Sequence, residues 1–216
     1  MKASKMVTHI KNRVRRCADL LIRRKANVDS CVILCNNCIG GFLYNDYGMR
    51  FDSPTVNLQL SYEDFLKFAA NVDYYLQQDI VEMKDASMEI YKKFHCEEGA
   101  FPIGQIDDIK VYFQHYTSFD SAVAAWERRK RRYYDCIIAG REVNLIFVTK
   151  ECDAALLHAF ESLPQKNKIM LTESKIFGDQ VFNFDLKKAG PDWYTFQPGF
   201  SLKKTYEQFD FSKWLR

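Results

Sequence analysis

The segment Asn36-Asn37-Cys38-Ile39-Gly40-Gly41 places a thiol between two carboxamides and a glycine pair, directly after the apolar run Cys31–Cys35. With Asn36 as the small residue, this is a small-x-nucleophile-x-Gly pattern. In such an elbow a sharp turn exposes the central side chain, and neighbouring N–H groups can stabilise an oxyanion. A cysteine at a helix N-terminus also tends to ionise more readily. Cys38 is thus a candidate nucleophile, with Asn36, Asn37, Gly40 and Gly41 as candidate substrate contacts. The bland alternative is a tight corner in which the glycines only permit close backbone approach and Cys38 lines a pocket without reacting. Cys35 and Cys38 form a C-x-x-C pair, but no second pair and no paired histidines complete a zinc site, so no metal is expected.

A general base is available in His115, near the end of the expected strand 109–116. Asp107 and Asp108 precede that strand. At about 3.3 Å per residue, seven residues separate Asp108 from His115 by roughly 23 Å along a straight strand. They are therefore read as separate substrate contacts, not as a dyad with His115. A third cluster is the run Arg128-Arg129-Lys130-Arg131-Arg132 after Trp126-Glu127. Arg128 and Arg129 are candidates to grip phosphates, and the competing reading is a solvated helix face.

Certain elements must hold these groups. A strand over 31–35, a second over 55–58 and a near-continuous apolar strand over 143–149 alternate with helices. Ser61 is the expected N-cap of a helix of about twenty residues, buried through Phe65, Phe68, Ala69, Val72, Leu76 and Ile80. Another helix opens at Ser118 or Asp120, and a third covers 153–162, followed by a strand at 168–171. Strand candidates at 181–184 and 194–197 are expected to pair antiparallel at an edge. The alternation predicts a three-layer α/β/α fold around a mostly parallel or mixed sheet, in one domain over 29–216. In such sheets ligands bind beyond the carboxyl ends of the strands, where the Cys38 turn falls.

Residues 1–28 read as a separate basic amphipathic helix. Nine Lys/Arg and a single Asp fall within residues 1–27, while the remainder of the chain is mildly acidic. Met6, Ile10, Val14, Cys17 and Leu21 form an apolar stripe. Two readings stand: a terminal helix docked on its own domain with its basic face in solvent, or peripheral contact of residues 1–27 with an anionic membrane surface. No run of about eighteen apolar residues and no signal-peptide core are present, so a cytoplasmic protein is expected, with the inner membrane face as the candidate peripheral site. The absence of a recognised motif or a broad basic excess argues against nucleic acid.

The blocks "CNNCIGGFLYNDYGMRFDSPTVNL", "FPIGQIDDIKVYFQHYTS", "WERRKRR", "LPQKNKIMLTES" and "YEQFDFSKWLR" resemble, in order, a bacterial family of exopolysaccharide biosynthesis proteins that carry a domain of unknown function. Some of its members are labelled acetyltransferases. The resemblance implies a three-layer α/β fold and a place in capsule or surface-glycan synthesis. The family's polar blocks fall here on Asn36, Asn37, Cys38, Gly40, Gly41, Ser53, Pro54, Asn57, Asp107, Asp108, His115, Trp126, Arg128 and Arg129. An acidic-Gly-Cys turn expected after the late strand is replaced by Thr149-Lys150-Glu151-Cys152. The "NNCIGG" turn is also similar to the Asn-Cys turn of polysaccharide acetyltransferases that use coenzyme A. The implied function is a transferase acting on a glycan or its lipid-linked precursor, with acyl transfer from an acyl-CoA donor first and no tightly bound cofactor. A glycosyl- or phosphoryl transferase, or a non-enzymatic scaffold of the glycan-assembly machinery, is the alternative.

Overall fold

Val32, Ile33 and Leu34 have no solvent exposure, because the strand that carries them is covered on both faces. A computed structural model of the chain describes residues 6, 8–15, 31–84 and 86–215. Residues 8–15 form helix α1, and β1 (Cys31–Cys35) leads through the Cys38 turn into α2 (Ile39–Asp46). Next come α3 (Tyr62–Ala70), α4 (Val72–Gln77), β2 (Val81–Glu82), α5 (Met88–Lys93), β3 (Ile103–Ile106) and β4 (Ile109–Tyr112). The second half comprises α6 (Phe119–Ile138), β5 (Glu142–Thr149), α7 (Ala154–Glu161), β6 (Asn167–Thr172), β7 (Val181–Asn183) and the short α8 (Phe211–Trp214).

The main sheet has the order β1-β5-β6-β7, with every neighbouring pair parallel. Alternation along each strand sends its side chains into two cores. Val32, Leu34, Leu145, Phe147 and Met170 pack under residues of α3, α4, α6 and α7. Ile33, Cys35, Ile146, Val148 and Leu171 face α2, α8 and the C-terminal segment. This is the expected three-layer α/β architecture. Phe147 anchors the first core, stacked between Phe65 and Phe160 with ring centroids 6.0 Å away on either side. Full burial of such a side chain stabilises by about 1.5–3 kcal/mol.

Several local expectations change. Ser61 caps α3 as expected, accepting from Asp64 N at 3.1 Å. The single long helix, however, breaks at Asn71, whose dihedrals (φ −146°, ψ 65°) lie outside the helical region. Residues 55–58 are a turn, and only Gln59 bridges to Tyr112. The strand expected over 109–116 ends at Tyr112, pairs with β3 in an antiparallel hairpin and joins a second three-stranded sheet with β2. At the far edge β7 is parallel to β6, and 194–197 contributes one bridge, Phe196 to Lys204.

The amino-terminal helix docks, but through basic residues and not through the apolar stripe expected. Arg15 is buried, donating to Asp46 Oδ2 at 3.0 Å and Leu202 O at 3.0 Å and pairing with Glu207. Lys11 donates to Gly199 O at 2.7 Å. The apolar positions Met6, Ile10 and Val14 stay 64, 54 and 47% exposed. A buried guanidinium with carboxylate partners on two elements outcompetes a narrow aliphatic stripe for the interface. Cys17 and Leu21 lie outside the described residues. No helix among the described residues is long and apolar enough to cross a membrane.

Candidate functional site

The turn after β1 is built by its asparagines. Asn36 uses both ends of its carboxamide on Val148: Oδ1 accepts from the backbone N at 2.8 Å and Nδ2 donates to the backbone O at 2.9 Å. The side chain thereby extends the β1–β5 pairing by one more residue while the backbone turns away. Asn37 Oδ1 accepts from Ile39 N at 3.0 Å and from the Cys35 thiol at 3.3 Å, satisfying one free donor of the first turn of α2. Both carboxamides are buried, so their contribution is to shape the turn. Gly40 is required because an added Cβ would fall 2.9 Å from Cys35 Cβ. At Gly41 it would fall 2.0 Å from Asn57 Oδ1.

What this corner presents is Cys38, at the N-cap of α2. Its Sγ lies 3.1 Å from His115 Nε2. The shorter β4 accounts for the approach: after Tyr112 the chain leaves the sheet, and residues 113–117 carry His115 to the Cys38 turn instead of continuing along a strand. Both residues line a cleft of 520 Å³ together with Gly41, Phe42, Asn45, Phe51, Asn57, Gln59, Gln114 and Tyr194. Among the described residues no Lys, Arg, Asp or Glu lines it. Its character is set by carboxamides and aromatic rings.

Burial pushes the Cys38 thiol up to about 11, and a hydrogen bond with the Tyr194 hydroxyl pulls weakly the other way. Desolvation therefore favours the neutral form of the Cys38 thiol. Cys35 is pushed further, to about 12, by complete burial, and the C-x-x-C pair is split between a core thiol and a cleft thiol. Among the described residues no cluster of three or more His, Cys, Asp or Glu is arranged to hold a metal.

The remaining expected site residues are dispersed. Ser53 is fully buried and exchanges a hydrogen bond with Thr55, which accepts from Cys35 N; it braces the end of β1. Asp107 and Asp108 form the tip of the β3–β4 hairpin, Asp107 with a positive φ of 51°. Tyr74 donates to Asp107 at 2.6 Å, and Tyr75 and Lys67 donate to Asp108 at 2.9 and 2.6 Å. Neither lines the cleft. Arg128 is exposed on α6, whereas Arg129 is buried. Arg129 donates to Val56 O at 2.7 Å and to the Tyr116 hydroxyl at 2.8 Å. It therefore ties the loop carrying Asn57 to the loop carrying His115. The Thr149–Cys152 turn is also away from the cleft, held by Ser174 through Cys152 N at 2.9 Å.

Tyr194, Gln114, Gln59, Asn45, Phe42 and Phe51 were not singled out from the sequence. Phe42 and Tyr194, with ring centroids 5.0 Å apart, form one wall. Their partnership spans most of the chain, and no local spacing marks it. The profile of the domain of unknown function DUF1919 matches residues 9–216, nearly the whole chain and including most of α1. The chain belongs to the DUF1919 family. A relative within reach is an uncharacterized protein of Haemophilus influenzae, 29% identical over 218 residues that span 98% of this chain and 96% of its own.

Proposed function

We propose that this DUF1919 protein is a thiol-dependent acyltransferase acting on a hydroxyl-rich acceptor, a glycan or its carrier-linked precursor in surface polysaccharide synthesis. The observation that carries the reading is the Cys38–His115 contact at 3.1 Å in a cleft of carboxamides and aromatic rings. Carboxamides offer paired donors and acceptors to hydroxyls, and aromatic faces suit the apolar faces of sugar rings.

His115 Nε2 accepts the thiol proton as Cys38 Sγ attacks the acyl carbonyl of the donor, an acyl-CoA in the simplest case. The tetrahedral oxyanion collapses with loss of the donor's thiol, which takes the proton from His115 and leaves an acyl-cysteine thioester. An acceptor hydroxyl then gives its proton to His115 and attacks that thioester. The acylated acceptor departs, and the proton returns to Cys38. No electrons are exchanged with an external reagent. Tyr194, which hydrogen-bonds Cys38, and the Asn57 carboxamide, which lines the cleft, take the role of oxyanion partners. A resting neutral thiol suits the scheme, because the base is needed only at the moment of attack.

The test is to incubate the protein with acetyl-CoA and analyse it by intact mass and peptide mapping. A single acetyl group on Cys38 is expected. Cys38→Ala should abolish it, and His115→Ala should slow it at least a hundredfold, the lower range for a general base. Unmodified Cys38 with every short acyl-CoA tried, together with unchanged surface-glycan composition in cells carrying each variant, would defeat the proposal. The scaffold alternative would then stand.

A further inference from the structure

The Cys38 cleft holds polar side chains that the fold has left unengaged. Asn57 and Gln114 line it half-buried, and neither side chain makes a hydrogen bond among the described residues. Gln59 donates from Nε2 to Leu60 O at 3.4 Å, and its Oε1 accepts nothing among the described residues. The backbone brings the three together. Gln59 and Tyr112 exchange N–H to O bonds of 3.1 and 2.9 Å in an antiparallel bridge. Two steps back from Gln59 and two on from Tyr112, the chains reach Asn57 and Gln114 at the same end of that bridge. Asn57 has a φ of 57°, a left-handed conformation that asparagine tolerates better than most residues. Its Oδ1 lies against Gly41, in the space a Cβ there would take. Phe42, Phe51 and Tyr194 supply the aromatic lining. Phe42 and Tyr194 pack with ring centroids 5.0 Å apart, too close to admit a third ring between them, so a ligand meets that pair from one side. Arg129, which ties the two loops together, is not part of the lining.

We infer that this cleft takes an uncharged, hydroxylated ring, a neutral pyranoside, and rejects the uronate of the same skeleton, with Asn57, Gln59 and Gln114 setting the choice. A carboxamide donates and accepts through one planar group, which matches a ring carrying hydroxyls around its edge. The C–H face of such a ring suits an aromatic wall open on one side. A carboxylate brought to the same place would lose its hydration with no Lys or Arg among the described lining residues to replace it. That the bound ring is the acyl acceptor rests on the acyltransfer reading above. The binding preference itself does not.

NMR titration of the isotope-labelled full chain with the methyl glycosides of glucose, galactose, mannose and N-acetylglucosamine tests the site, at about pH 8 where an ordinary imidazole is neutral. At least one glycoside is expected to shift the side-chain NH₂ signals of Asn57 and Gln114 saturably. It should bind roughly tenfold or more tightly than its matching uronate. Asn57→Gly, which keeps the left-handed backbone, and Gln114→Ala should each weaken that binding by about threefold or more, with circular dichroism and melting unchanged. If Asn57→Gly is destabilised, Gln114→Ala makes the comparison alone. Gln114→Lys supplies the missing cation and should tighten uronate binding by roughly tenfold, a gain that a merely structural glutamine would not give. No saturable shift with any of the four glycosides, a uronate bound as tightly as its neutral partner, or adenosine or uridine bound more tightly than every glycoside overturns the inference. Glycoside binding without acyl-Cys38 formation overturns only the acyltransfer reading. Acyl-Cys38 formation without glycoside binding overturns only the neutral-ring site.

Discussion

Cys38 Sγ and His115 Nε2 meet at 3.1 Å although 77 positions separate them in the chain. The sulfur is supplied by the turn after β1 and the imidazole by the loop after β4, so the two belong to different sheets. Their meeting places the two candidates that the sequence offered separately within reach of one another.

Because burial pushes the Cys38 thiol up to about 11, its thiolate fraction near neutrality is far below that of a free cysteine, which titrates near 8.5. The sign follows: alkylation at pH 7 should be slow and should rise about tenfold per pH unit until about 11. Rates of iodoacetamide modification, read at the Cys38 peptide from pH 6 to 11, give the profile. An inflection below pH 8 would mean a thiolate–imidazolium pair and a different resting state.

The two glycines of the turn should respond differently to alanine. A Cβ at Gly40 meets Cys35 Cβ at 2.9 Å, and that atom is fixed to a buried strand. Overpacking of this kind costs about 1–3 kcal/mol, so Gly40→Ala should lower the urea midpoint clearly. At Gly41 the obstacle is the Asn57 carboxamide, which can swing aside. Gly41→Ala should melt near the wild-type temperature yet lose most acyl-Cys38 formation. Equal effects of both variants on stability and labelling would contradict this division.

Arg129 is placed to hold the cleft together. Its buried guanidinium bonds Val56 O and the Tyr116 hydroxyl. Arg129→Met removes both donors and leaves two polar groups without partners, at about 1–3 kcal/mol for each that remains buried. Denaturant unfolding should show a loss of this order, with Arg129→Lys intermediate because one ammonium cannot reproduce the planar fork. Wild-type stability in Arg129→Met would show that the two loops are held by other contacts.

Peripheral contact with anionic lipid, were it made by this end of the chain, would use the exposed stripe Met6, Ile10 and Val14. Each buried methylene contributes about 0.8 kcal/mol and each basic group near the surface about 1 kcal/mol. Replacement of the three by Ser should reduce sedimentation with phosphatidylserine-containing vesicles at least tenfold without unfolding the protein, since Arg15 still docks the helix. Undiminished sedimentation would remove the stripe from any membrane role.

Periodicity and turn chemistry were enough for the three-layer architecture, because a doubly covered strand such as β5 must be apolar throughout and a helix such as α3 must show its buried stripe. The Asn36–Gly41 turn was equally legible, since carboxamides and glycines at a strand end are local devices with local reasons. The break at Asn71 and the β3–β4 hairpin were not, because each depends on what packs beside it. Sequence also made Arg129 and Asp108 candidate ligand groups, and the fold engages both outside the cleft, Arg129 with Val56 O and the Tyr116 hydroxyl and Asp108 with Lys67 and Tyr75. Charge is a property of the residue. Whether that charge is free is a property of the fold. The chain by itself determined the corner that presents Cys38; the tertiary structure alone decided that His115 and Tyr194 would reach it. Contacts between distant loops are set by how whole layers pack, and no short spacing encodes them.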